Sequence, residues 1–181
     1  GDVVQAASHL DGRHAYATAF PATPFGYAVK TAARVIANDA GVAVVHLSIG
    51  SFDTHANQAP TQARLLGDLA QGLAALESAL REIGRWDRTL VLTYAEFGRR
   101  PKENQSAGTD HGTASVHFAL GGKVAGGFAG EAPRLERVGD GNLPHAIDFR
   151  SVYATVLERW WSTDARSVLG GRFETLPILR G

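Results

Sequence analysis

Two acid–imidazole pairs in this sequence have residue types and spacings that suit metal chemistry. Asp53 and His55 lie in "GSFDTHANQ", and Asp110 and His111 lie in "SAGTDHGTAS". Residues two apart share a face when the backbone is extended, so a carboxylate and an imidazole at that spacing can ligate one ion. Adjacent side chains diverge. Asp110 and His111 therefore suit two ions, or one ligand and one supporting partner. Each pair alone reads more readily as a polar turn. Two such pairs, each in a loop after a strand-like run, form a more specific pattern.

The chain contains no cysteine, so thiolate sites and a disulfide framework are excluded. A metal must then be held by oxygen and imidazole, which suits zinc, manganese, magnesium, calcium or iron. Neighbouring residues could assist. Glu96 closes a strand-like run and could ligate, orient a histidine, or pair with Arg99 or Arg100. Arg99 offers a planar fork to an anionic ester, or a structural ion pair. Asn57, Asn104 and Thr109 are either supporting donors or turn residues. His117 and His145 are weaker ligand candidates, and His46 and His117 read better as core histidines. The glycines of "LGGKVAGG" lack the lysine and hydroxyl that end a phosphate loop, so they read as turns. Trp86, Trp160 and Trp161 read as packing residues.

An alternating order of elements must position these residues. Residues 24–39 show apolar positions at helical spacing, stopped by Asn38, Asp39 and Gly41. Residues 42–49, "VAVVHLSI", form an apolar β-branched run expected of a strand buried on both faces. Leu66, Leu69, Leu73, Leu76, Leu80 and Ile83 form one seam of a helix expected over residues 61–83. Residues 89–96 and 115–122 read as further strands. Asp148 is a plausible N-cap for a helix through "DFRSVYATVLERWW". This order predicts an α/β fold with a mainly parallel sheet and flanking helices. Ligands of such sheets bind beyond the carboxyl ends of the strands, where both pairs fall. No repeat or linker divides the chain, so residues 1–181 are expected to form a single domain.

Lys plus Arg and Asp plus Glu both number 18, so the net charge is zero and no basic field favours nucleic acid. No apolar run approaches the roughly 20 residues of a membrane-spanning helix. Hydrophobic residues at 44% mark a globular chain.

The strings "GSFDTHANQ", "YAEFGRRPKENQSAGTDHGTA", "ALGGKVAGGFAGEAP" and "DFRSVYATVLERWW…VLGGRF" resemble the carboxy-terminal half of the DUF1501 family. That uncharacterised bacterial family is placed in the alkaline phosphatase and sulfatase superfamily. The resemblance implies a partial alkaline phosphatase-like core carrying one or two divalent cations, zinc first, with manganese, calcium or iron as alternatives. It implies Asp53, His55, Asp110 and His111 as ligands, with Glu96 and Arg99 in support. The superfamily's first motif usually has three residues between Asp and His, where this chain has one. The implied activity is hydrolysis of phosphate or sulfate esters of small molecules or glycans. The alternative is a non-catalytic metal- or glycan-binding protein of the same fold. The nucleophile would lie in the amino-terminal half, and no residue here is assigned to that role. Apolar faces would then pair with that missing half or with a second copy. Family resemblance also suggests the periplasm or an exported location.

Overall fold

A computed structural model describes residues 14–38 and 41–180. Helix α1, Pro24–Ala37, starts where its sequence dictates: Thr23 is extended and its hydroxyl accepts the Gly26 N–H at 3.0 Å, with Pro24 at the first position. The same hydroxyl donates to Asp68 Oδ1 at 2.6 Å, which ties the start of α1 to helix α2, Gln58–Glu82. Phe25, Val29, Ala32 and Ala33 are buried on α1, and Leu65, Ala75, Leu76, Ala79 and Leu80 on α2. Gly72 makes room for the Phe25 ring: a Cβ there would lie 2.5 Å from Phe25 Cε1.

The buried face of α2 departs from the leucine seam. Leu66 is 44% exposed, while Ala75 and Ala79 are buried. Small side chains admit the neighbouring helix more closely than a row of leucines, so the contact turns onto the Gly72–Ala75–Ala79 side. The helix ends at Gly84, whose φ of +66° is left-handed. Arg85 N–H reaches back to Leu80 O at 2.7 Å and Gly84 N–H to Arg81 O at 3.0 Å, the paired bonds of a glycine-terminated helix. Glu82 sits in the last turn, where the helix dipole disfavours an anion. Its carboxylate accepts the backbone N–H groups of Ala17 and Thr18, the Thr18 hydroxyl and His14 Nε2. These bonds, the Ala17 N–H foremost, hold it below the usual carboxylate range.

Backbone contacts divide the chain into two compact units, Gly1–Thr89 with Ser106–Gly108, and Leu90–Gln105 with Thr109–Gly181. The first holds α1 and α2. In the second, β1 (Val91–Leu92) pairs antiparallel with β4 (Ala119–Leu120), and β2 (Gly98–Glu103) with β3 (Thr109–Gly112). The β2–β3 register sets Arg99 opposite His111, and a bulge separates that pair from Glu103↔Thr109. Pro101 lies in the bulge, where its missing N–H costs no ladder bond. Helix α3, Phe149–Thr155, is capped by Asp148, and one π turn, Val156–Trp160, continues it. Helix α4 is Ala165–Leu169. Thr155 is fully buried; its hydroxyl donates to Ser151 O and accepts the Leu176 N–H.

Among the described residues the strands form two antiparallel pairs. The strand expected over residues 89–96 contracts to Val91–Leu92, and that over 115–122 to Ala119–Leu120. Residues 42–49 form no strand, and Val44 is 65% exposed. A strand exists only by pairing, and no described segment pairs with this run. Among the described residues no helix is long and apolar enough to cross a membrane.

Candidate metal centre

The Asp53–His55 loop is part of the first unit. It is bounded by Ser51 at φ 71° and Asn57 at φ 45°, two left-handed residues that reverse the chain. Between them Thr54 is buried, while Asp53 and His55 face solvent. Thr54 N–H donates to Phe52 O at 2.9 Å, so the backbone makes a tight turn at Asp53. His55 Nε2 lies 2.9 Å from Asp53 Oδ1.

The turn at residues 106–108 belongs to the same unit and holds this loop in place. Asn57 provides no side-chain cap for α2. Instead Asn57 N–H donates to Ser106 O at 3.0 Å and Gln58 N–H to Ala107 O at 2.8 Å. Backbone carbonyls thus satisfy the donors that a helix start leaves open. Gly108 is buried, and a Cβ on it would lie 2.2 Å from the His55 carbonyl carbon. Only glycine permits this approach. The next residue, Thr109, opens the strand that carries Asp110 and His111.

Within the second unit, His111 stacks on Phe97, with ring centroids 3.7 Å apart and planes 12° from parallel. The Arg99 guanidinium lies 5.3 Å from the Phe97 centroid, and its Nη1 donates to Thr109 O. Asp110 Oδ1 accepts from Asn104 Nδ2 at 3.3 Å. Asp110 and His111 are neighbours on a strand, so their side chains leave opposite faces.

Asp53 and His55 are exposed in the first unit, and Asp110 and His111 are exposed in the second. Carboxylate and imidazole donors suit zinc. The same donors suit iron and manganese. Glu96 is exposed between β1 and β2. His117 and His145 are also exposed, and His46, expected in the core, is exposed too. Trp86 is buried as expected, whereas Trp161 is 46% exposed.

Residues 2–171 match the DUF1501 family, described as a protein of unknown function. The chain belongs to the DUF1501 family. No curated protein and no solved structure matches it. Two features of this DUF1501 chain have no plain signal in its sequence. The Phe97 stack depends on the register of β2 against β3, which a bulge sets. The capping of α2 by Ser106 and Ala107 links segments far apart in sequence. The glycine of "SAGTDHG" was the available clue, since a glycine before a ligand strand marks close backbone approach.

Proposed function

We propose that Asp53, His55, Asp110 and His111 are ligands of one or two divalent metal ions and that the site serves hydrolysis of phosphate or sulfate esters. The observation that carries this reading is the Asp53–His55 pair, 2.9 Å apart on a loop packed against Gly108, from which the chain runs directly into the strand of His111. Zinc is the first choice on the donor set, with manganese, calcium or iron as alternatives. When bound, the ion supplies Lewis-acid polarisation of an ester oxygen and stabilises developing charge. Asp53 fixes the orientation of the His55 ring. Asp110, held by Asn104, serves a second ion or supports a neighbouring ligand. Arg99 acts within the hairpin through Phe97 and the Thr109 carbonyl, and Glu96 stays a supporting candidate. No residue is assigned as nucleophile.

The exposure of Asp53, His55, Asp110 and His111 supports a second reading, a metal- or glycan-binding protein without turnover. Elemental mass spectrometry of the wild type and of a His55→Ala/His111→Ala variant tests the metal. Stoichiometric metal lost in the variant is expected, and an ion-free wild type after reconstitution would sink the proposal. Aryl phosphate and aryl sulfate turnover then separates the two readings.

The resemblance also underlies a proposal for the fold. Residues 42–49 belong to a parallel sheet of an alkaline phosphatase-like core, completed by the amino-terminal half of the family fold or by a second copy. The exposed Val42, Val44 and Val45 support it. Sedimentation showing a compact monomer at all concentrations would count against self-association. A periplasmic or exported location rests on resemblance alone and is tested by fractionating expressing cells.

A further inference from the structure

We propose that Phe97 is a positioning residue for His111, fixing the plane in which its imidazole meets the ion. This inference rests on the metal reading above and adds a residue to it. A ligand histidine is usually oriented by a hydrogen bond to its second ring nitrogen. Phe97 works differently, through the face of the ring. The centroids are 3.7 Å apart and the planes 12° from parallel, so rotation of the imidazole about its last side-chain torsion collides with the phenyl ring. Stacking on a face consumes neither ring nitrogen.

The stack also has an electrostatic sense. An aromatic face carries negative charge density and attracts electron-poor groups. An imidazole that donates a lone pair to a cation becomes electron-poor, so its attraction to Phe97 grows on binding. Phe97 is itself held. Arg99 approaches its ring at 5.3 Å, and Arg99 is anchored by its bond to Thr109 O. Arg99 is also the cross-strand partner of His111. One hairpin therefore carries the ligand, the ring that orients it and the cation that steadies that ring.

The test is titration of the whole chain with Co(II), read by visible absorption, and with Zn(II) by competition. Wild type, Phe97→Leu, Phe97→Tyr and His111→Ala are compared. Phe97→Leu is expected to bind about tenfold more weakly, with an altered Co(II) spectrum. Phe97→Tyr, which keeps the ring face, is expected to restore both. A Phe97→Leu variant with wild-type affinity and spectrum overturns the inference, as does a Phe97→Tyr variant that fails to restore them. If the wild type binds neither ion, the metal reading fails and this inference falls with it. Binding that depends on His111 but not on Phe97 removes the positioning role alone. Proton NMR of the wild type tests the stack without any variant. His111 ring protons are expected upfield in the Phe97 ring current, and ordinary shifts would overturn it.

Discussion

His55 Nε2 lies 2.9 Å from Asp53 Oδ1, with only the buried Thr54 between the two residues in sequence. The pair is formed within a loop, so either partner can be removed without disturbing a helix or a strand. Asp53→Asn is expected to keep the fold and weaken zinc binding. The loss should exceed the roughly tenfold typical of removing a supporting partner. Calorimetric titration checks it, and unchanged affinity would remove Asp53 from the ligand set.

Asp110 and His111 are adjacent but leave opposite faces of β3, so their variants should separate. His111→Ala is expected to abolish binding of the first ion. Asp110→Ala, which loses the bond from Asn104, should retain it with a change of less than about tenfold. Equal losses in both variants would show that the two side chains share one ion.

Gly108→Ala places a methyl about where the His55 carbonyl carbon lies, 2.2 Å away. Backbone, not a flexible side chain, must move to relieve it. The expected cost is about 1–3 kcal/mol, by analogy with overpacking a close contact. Metal affinity should fall with it, because the same turn supports the ligand loop. Urea unfolding and a zinc titration on one preparation measure both.

Asp148 caps α3 and accepts hydrogen bonds from the Arg150 side chain and backbone N–H, which hold its carboxyl at about 2 against an ordinary 3.8. A depressed carboxylate stabilises the fold above its unfolded value and loses that contribution as pH falls through the folded one. Wild-type melting temperature should therefore drop between about pH 4 and pH 2 more steeply than that of Asp148→Asn. Parallel acid limbs for the two proteins would show that the cap carries no such linkage.

Leu80 is fully buried on α2, and its carbonyl accepts the Arg85 N–H that closes the helix. Leu80→Ala removes the side chain but not that carbonyl, so the effect isolates packing. The expected loss is about 2–5 kcal/mol by denaturant unfolding. A loss below 1 kcal/mol would mean that the helix pair closes over the gap.

Local rules made part of this legible. Asp148 caps α3 where its residue type and the following helical pattern place it. The helix expected over residues 61–83 is found as Gln58–Glu82. Features set at long range were not legible. The leucines of α2 predict its helical period, but small residues chose which side would be buried. Residues 42–49 have the composition of a strand, yet composition names no partner, and none pairs with them among the described residues. His46 was expected inside for the same reason and stands exposed. Phe97 had no motif to mark it, because its meeting with His111 depends on a bulged register.

The start of α2 has a consequence for how the chain folds. Its first amides bond not to a neighbouring side chain but to Ser106 and Ala107, carbonyls that arrive only when a stretch beyond the end of the helix returns to its beginning. The helix body can form early from local contacts. Its first turn cannot be completed until that long loop closes, a step that is slow compared with helix growth. Hydrogen exchange at Gln58 should therefore follow the closing of the ligand loop, while exchange at Leu76 follows the opening of the helix pair, and a difference between the two would time the assembly of the site.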